Sequence, residues 1–538
     1  MKSIGQAKSV FLIRFDYDPD LVEEVKKLTE RKFSKEFNDP VWKVPLRYWA
    51  QVKKFAEEFD FILDEPSQRA FERLGGGREN YVPPEIPVEF TNGSEVTVGT
   101  RKLFLHQIKG VVHLVKSQRA ILADDMGLGK TTQALVAARM FNLPIIVICP
   151  ASLRENWKRE AKFVDTPLVG IHTWGKFPDT LLDLPIYKRG FVVIFDEAHY
   201  AQGGRGTQRG QRFLSLCEEA TAVFLLTGTP LKNGKPINIY PLLQGIQHPI
   251  VANPTHFQVR YCDAKATKWT RWDCSGARFL DELHMKTKDK ILRRLKAECL
   301  DLPPFMRVMR EAEISDEVQR KYDRKFNELR LDYIDRLSKG KISAGADALV
   351  HLSHLRFASS IAKIDTTVDL IEEVIGQGNS IVVFCMFKET LTILRNRVEG
   401  MKIMQGDTMQ SERTKLVDDF QAGNFLAFGT TFGTGGVGIN LFRARTVVLH
   451  DRPWTPAECD QAESRLHRFG QTGSVQSIWV QYGDVDKEID ELLENKEERI
   501  QLVLAGERRT MRGTMSMNEL AAKVLPKLFN QEGWIDMA

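Results

Sequence analysis

No stretch of this chain approaches the eighteen or so continuous apolar residues needed to cross a bilayer. The opening Met1-Lys2-Ser3-Ile4-Gly5-Gln6 also lacks the apolar core of a secretory signal. The expected location is therefore the cytosol or the vicinity of DNA: cytoplasm or nucleoid for a bacterial or viral source, the nucleus for a eukaryotic one. Cysteine is scarce, seven in 538 residues, with no Cys-x-x-Cys pair and no histidines at matching spacing, so neither a disulfide framework nor a zinc site is indicated. Cys149, Cys217 and Cys385 lie in apolar runs and read as small core residues. Charge of one sign is lacking too: 76 Lys and Arg against 71 Asp and Glu leave +5, too little to point to a polyanion by itself. Internal repeats, low-complexity tracts and coiled-coil heptads are missing. What remains is 43% hydrophobic residues with mixed charge, at a length that calls for several globular domains.

Against that plain background, Leu122-Ala123-Asp124-Asp125-Met126-Gly127-Leu128-Gly129-Lys130-Thr131 stands between an apolar stretch and a helical one. Glycine at 127 and 129 permits a tight turn with inward N–H groups, and the helix that follows aims its positive end at the same place, an arrangement that wraps phosphates. Lys130 then reaches the outer phosphates and the Thr131 hydroxyl ligates Mg²⁺. The strict pattern wants glycine at 124, where this chain has Asp124. The matching acids follow a strand-like run, Phe191-Val192-Val193-Ile194-Phe195, as Asp196-Glu197-Ala198-His199. At the carboxyl end of such a strand Asp196 can hold magnesium through water, and Glu197 can orient or deprotonate the attacking water; an acidic helix cap is the bland alternative. Arg465 and Arg468, three residues apart, are expected on one helical face, where paired guanidinium groups suit a triphosphate. Alone, such a pair would read as a solvated basic face.

The order of Gln107, the 124 to 131 loop, Cys149-Pro150-Ala151, Asp196-Glu197-Ala198-His199, Leu226-Thr227-Gly228-Thr229-Pro230, Gly435-Gly436-Val437-Gly438-Ile439-Asn440-Leu441 and Gln461 to Gln471 resembles the Swi/Snf branch of superfamily-two helicase-like ATPases, with its DEAH-type box. The resemblance runs from about residue 99 to about 500. It implies an α/β fold of two RecA-like lobes, parallel sheets flanked by helices, with ATP and Mg²⁺ in the cleft between them. It also implies that Gln107 reads adenine and that Asp125, Met126, Gly127, Leu128, Gly129, Lys130, Thr131, Thr132, Gly438, Arg465 and Arg468 hold the nucleotide. Thr131 and Asp196 would serve the metal; Lys130, Asp196, Glu197, Arg465 and Arg468 would serve catalysis. Pro150, Ala151, Ser152 and Thr173 on the first lobe, and Thr434 on the second, would meet the sugar-phosphate backbone, so that binding is independent of sequence. Arg293 and Arg294 match a family block near the lobe junction and are either interlobe or DNA contacts, or a solvated helix.

Segments outside the shared motifs narrow the resemblance. Arg260-Tyr261-Cys262-Asp263-Ala264-Lys265, Trp272-Asp273-Cys274-Ser275-Gly276-Ala277 and Ile291-Leu292-Arg293-Arg294-Leu295-Lys296 look like the HepA-related-protein (HARP) subfamily of annealing helicases. The amino terminus is similar to its small α+β HARP domain: a strand at Phe11 to Phe15, a helix from Asp18 to Lys32, and Trp42 beside a second strand. Residues 26 to 54 carry nine basic side chains; among them Lys26, Lys27 and Lys43, with Trp42 for stacking on an unpaired base, are the candidate DNA contacts. A core role for Trp42 or Trp49 is the competing expectation.

The expected organisation is a HARP-like domain over 1–65, a linker over 66–98, lobe one over 99–245, helical insertions over 246–349, lobe two over 350–500 and a helical tail over 501–538. The function these features imply is a DNA-dependent ATPase, a monomer that translocates on DNA and remodels forks or other branched or partly single-stranded DNA by reannealing. A strand-separating helicase, an ATP-gated clamp and, with less in its favour, a chromatin remodeller are the alternatives. Recruitment by a single-strand-binding protein stays open.

Overall fold

The computed structural model describes residues 2–505 apart from 8–9, 29–30, 37–38, 46–47, 76–80, 179, 182–183, 188, 232–233, 267–271, 340–345 and 436–438. The chain divides into two compact bodies, one built from residues up to Leu122 with Thr131–Leu226 and Tyr240–Pro254, the other from Ala123–Lys130, Thr227–Ile239 and the chain from Thr255 onward. Among the described residues no helix is long and apolar enough to cross a membrane.

The first body opens with a five-stranded sheet in the order Lys32–Glu36, Asp39–Pro45, Val10–Arg14, Ser3–Ala7, Ile62–Leu63. Alternation along Val10–Arg14 buries Phe11 and Ile13 and leaves their neighbours half-buried, the period-two pattern of a strand with one covered face. That face packs with helices Pro19–Val25, Trp49–Glu58 and Glu65–Gly75 into a single core containing Ile4, Phe11, Ile13, Leu21, Val25, Val44, Val52, Phe55, Ala70 and Phe71. The helix expected over Asp18 to Lys32 is shorter. Asp18 caps it, its side chain accepting from the amides of Asp20 and Leu21 at 3.0 and 3.3 Å, but the regular helix ends at Val25. Beyond Leu28 there is no apolar residue to continue a buried face before Phe33, and Lys32–Glu36 joins the sheet instead. The linker expected from residue 66 likewise begins as structure. Asp64 accepts from the Ser67 amide at 2.8 Å at the start of a helix, and Phe71 stacks on Phe11 with ring centroids 4.7 Å apart.

The same body then builds a parallel sheet in the order Gly170–Thr173, Ile145–Cys149, Val192–Asp196, Ala222–Leu226, Arg119–Leu122. Three of these strands are buried at every position, as parallel strands covered on both faces must be. Cys149 and Cys217 are buried here and Cys385 in the second sheet, as small core residues. The second body holds six parallel strands in the order Phe305–Glu311, Val475–Gln481, Thr446–Leu449, Ile381–Cys385, Ala427–Thr431, Lys402–Met404. Helix Asp316–Ser338 falls within the expected helical insertions. Phe305–Glu311 does not fit a purely helical insertion over 246–349: it is an edge strand paired along its whole length with Val475–Gln481. Its mostly exposed side chains alternate Met and Arg, which hides the strand from a search for apolar runs. The expected tail over 501–538 lies outside the described residues beyond helix Gly483–Ala505.

Candidate functional site

Strand Arg119–Leu122 ends at the phosphate-type loop, and helix Lys130–Met140 begins directly after it. Gly127 and Gly129 have φ of 90° and 73°, values that side chains resist, which is why these two positions are glycine. The Lys130 ammonium donates to the carbonyls of Asp124 and Asp125 at 2.7 and 3.1 Å, so its charge rests over its own loop. Leu128 is buried, and Met126 lies so close to Gly228 that a Cβ there would come within 2.9 Å of its methyl carbon. The Thr227-Gly228-Thr229 segment is thereby fitted to the loop, with Thr227 Oγ1 accepting from the Thr229 amide at 2.9 Å. Thr131 is half-buried at the helix start. Thr132 is buried with its hydroxyl 3.4 Å from Glu160 Oε2.

Asp124, the departure from the strict loop pattern, is fully buried and forms a forked ion pair with Arg294, whose Nε donates to Oδ1 at 3.0 Å and whose Nη2 meets Oδ2. Arg293 does the same for the next acid: its Nη2 lies 2.7 Å from Asp125 Oδ1, and its Nη1 donates to the Ala123 and Gly228 carbonyls at 2.8 and 3.3 Å. Neither arginine belongs to a solvated helix; both follow the short strand Ile291–Leu292 and clamp the loop. Sequence reading left them out of the site. The available signal was the pair of consecutive acids at 124 and 125 needing partners of opposite charge once buried.

Lys296 extends the clamp. Its backbone amide donates to Asp125 Oδ2 at 3.0 Å, and its ammonium donates to Ser464 Oγ and the His467 carbonyl at 3.1 and 2.8 Å. Burial pulls this ammonium down to about 8, with Arg468 and Arg465 acting in the same direction and Asp125 and Asp460 against it. Arg465 and Arg468 are not on a regular helix as expected. Helix Pro456–Glu463 stops before them, and they occupy the turns that follow. Those turns are anchored by buried Glu463, which accepts from Arg307 Nε at 2.9 Å, Ser477 Oγ at 2.8 Å and Trp479 Nε1 at 3.0 Å. Arg468 meets Asn440 Oδ1, and Arg465 reaches the Ile439 carbonyl at 3.5 Å. A Cβ built on Gly127 would lie 3.7 Å from Arg468 Cβ and 3.9 Å from Lys296 Cε. The loop glycine therefore packs beside the stems of two cationic side chains, at ordinary van der Waals distance.

In the first body Asp196 ends its strand almost fully buried. Trp157 Nε1 donates to its Oδ2 at 2.8 Å, the Glu197 amide to its Oδ1 at 3.0 Å, and Trp174 Nε1 to its carbonyl at 2.7 Å. Glu197 adopts left-handed backbone angles, φ 51° and ψ 51°, a conformation uncommon for a residue with a Cβ and one that concentrates at functional sites. His199 Nδ1 lies 3.2 Å from Glu197 Oε2. Gln107 is buried and its amide oxygen accepts from the Phe104 backbone at 3.1 Å, which fixes the plane of the carboxamide at the start of helix Leu105–Ser117.

Of the expected DNA contacts, Pro150, Ala151 and Ser152 follow strand Ile145–Cys149, and Thr173 ends the neighbouring parallel strand, with Thr173 in register with Cys149. The structure thus brings these four to one edge. Thr434 is buried and accepts from the Thr431 hydroxyl at 3.0 Å; Gly438 lies outside the described residues. Lys26 and Lys27 are exposed and paired with Glu23 and Glu24. Lys43 pairs in register with Leu12 and Lys32, on the sheet face opposite the core. Trp42 points to the other face, packed on the core with its ring 5.0 Å from Phe33, so it is an anchor rather than a platform for a base.

Comparison with known proteins gives two domain matches: an SNF2-related domain over residues 106–179 and 169–361, and a helicase conserved C-terminal domain over 362–470. The chain is 28% identical over 415 residues to the Bos taurus DNA annealing helicase and endonuclease ZRANB3, a match covering 70% of this chain and 38% of that protein. It is 27% identical to the Caenorhabditis elegans homolog of SWI/SNF-related matrix-associated actin-dependent regulator of chromatin subfamily A-like protein 1, covering 78% of this chain and 64% of the relative. The chain thus spans less than two thirds of the length of either relative. Among solved structures, the Sulfolobus solfataricus SWI2/SNF2 ATPase core in complex with dsDNA aligns with 22% identity and a TM-score of 0.34, over 80% of this chain and 98% of that one.

Proposed function

We propose that this chain, which belongs to the Swi/Snf branch of superfamily-two helicase-like ATPases, hydrolyses ATP in response to DNA, moves along the DNA backbone and reanneals branched DNA. The observation that carries the reading is the loop at 124–130, where the Lys130 ammonium lies on the loop's own carbonyls and the stems of Lys296 and Arg468 pack beside Gly127. Bound magnesium-ATP would supply the phosphoryl group to be transferred. Lys130 and the loop amides would hold its phosphates, and Thr131 and Asp196 would hold the metal. Asp196 is oriented for this by the Trp157 indole and the Glu197 amide. Glu197, held in its left-handed turn, would orient the attacking water and take its proton. Arg465 and Arg468 would neutralise charge that spreads over the transferred group, an effect worth roughly 10³ to 10⁵ in rate. Gln107, its oxygen tied to the backbone, would present amide donors to adenine. The edge formed by Pro150, Ala151, Ser152 and Thr173 would track phosphates, and Lys26, Lys27 and Lys43 would draw the amino-terminal domain to the same polyanion.

The reannealing claim is tested on a pre-melted bubble in closed duplex DNA. ATP-dependent closure of the bubble, with no release of a strand from a forked substrate, is the expected result. Strand release would favour a separating helicase, and ATP binding without turnover would favour a clamp.

A further inference from the structure

The first body contains a recess of about 420 Å³ that none of the motifs accounts for, lined by Trp174, Gly175, Phe177, Tyr200, Thr207 and Arg209 among others. Its floor is aromatic: Trp174 lies 6.0 Å from Tyr200 and 5.8 Å from Phe177 between ring centroids. Tyr200 is 40% exposed, a large ring presented to solvent beside a buried indole. The rim is cationic. Arg209 lies over the Tyr200 ring at 5.7 Å, and Arg212 stands one turn further along helix Gln208–Glu219, whose amino end, capped by Thr207, opens on the same recess. Exposed aromatic faces with arginines beside them are the combination that takes a planar base and its phosphate together.

We propose that this recess binds one unpaired nucleotide of a DNA strand, the base on Tyr200 and its phosphate at Arg209 and the helix amino end. The inference rests on the reading of the chain as a DNA-dependent ATPase and adds the chemistry by which it would distinguish a junction with unpaired bases from plain duplex. The recess is wired to the acidic pair from two sides. Trp174 donates to the Asp196 carbonyl at 2.7 Å, while Tyr200 stacks on His199 at 4.8 Å and His199 in turn meets Glu197 at 3.2 Å. A base settling on Tyr200 therefore presses on the residue beside the proposed water-orienting carboxylate.

The test is equilibrium binding of the full chain, without ATP, to a fork carrying 2-aminopurine in its single-stranded arm and to a blunt duplex of equal length. Tyr200→Ala and Arg209→Ala should each weaken fork binding roughly five-fold or more, the range expected for losing a stacked base, and abolish the quenching of 2-aminopurine. Tyr200→Phe should retain both. Gly175→Val is the control against a folding artefact: a Cβ there meets nothing within 4 Å, so it should narrow the recess and weaken fork binding with an unchanged melting temperature. Duplex affinity should hold in all four. Equal losses on fork and duplex, or quenching that persists in Tyr200→Ala, would overturn the proposal. Saturable binding of a free deoxynucleoside monophosphate that displaces the fork no better than it displaces the duplex would overturn it too, because the recess would then be a small-molecule site. Wild-type ATP turnover with and without DNA, measured separately, reports on the motor reading, so the two can fail independently.

Discussion

At the scale of single residues, the pairing of Asp124 with Arg294 decides how the nucleotide loop is held. Asp124 has no exposed surface, and removing a partner from a buried ion pair typically costs about 3–5 kcal/mol because the remaining charge is left without compensation. Arg294→Ala should therefore lower stability by about that amount and weaken ATP binding at least roughly ten-fold. Asp124→Gly, which restores the strict loop pattern, should be harmful for the same reason. The double variant should cost less than the sum of the two singles in chemical denaturation; strict additivity would show that the pair is not coupled. This pairing explains what was and was not legible in the sequence. Lys130, Asp196 and Glu197 could be read because their chemistry is local, each carried by a strand end and its following turn. Arg293, Arg294 and Lys296 act on residues some 170 positions away in the chain, and no periodicity within either segment reports such a partner. Trp42 shows the opposite error: a basic neighbourhood suggested a base platform, while the strand's alternation, with Val44 buried two residues on, already assigned it to the core face.

At the scale of elements, the second sheet is tied together by buried charge. Lys363 donates to Asp486 at 2.8 Å, and Arg452 to Asp490 at 2.7 Å, joining the start of helix Ile364–Gly376 and the turn after strand Thr446–Leu449 to helix Gly483–Ala505. His450 sits among them with no exposed surface, its Nε2 2.9 Å from the Ser360 carbonyl and its Nδ1 2.8 Å from Thr367 Oγ1. A carbonyl only accepts, so Nε2 carries the proton and Nδ1 accepts from the threonine, which describes a neutral imidazole. Burial pushes His450 down to about 4, aided by Lys363 and opposed by Asp451. An unfolded histidine titrates near 6.5, so between the two values the unfolded chain binds the extra proton. Stability from this group is complete above about pH 6.5 and is lost as pH falls toward 4, by on the order of 3 kcal/mol across that window. Urea midpoints of wild type and His450→Gln should diverge in slope against pH there, the variant being flatter; parallel curves would contradict the assignment. The elements that escaped sequence reading were those without an apolar run, the edge strand Phe305–Glu311 above all, together with the helix Glu65–Gly75 that the glycines at its end disguised as a linker.

At the scale of the whole molecule, Asp196, Glu197 and Gln107 lie in the first body, and Lys130, Arg465 and Arg468 in the second. The division follows from the fold. Both sheets end their parallel strands in short turns, where side chains are free to serve a ligand while the strands beneath stay packed. Most of the motifs were legible because they sit at such strand ends or in the turns beyond them; Gln107, at the start of a helix, and Gln461 to Gln471, at the end of one, are the exceptions. The most direct measurement is ATP turnover by the full chain with and without DNA, comparing wild type with Lys130→Ala and Arg468→Ala. The account predicts that DNA stimulates the wild type, that both variants lose the stimulated rate by roughly 10³-fold or more, and that Arg468→Ala still binds ATP. Stimulated turnover close to wild type in either variant would contradict it.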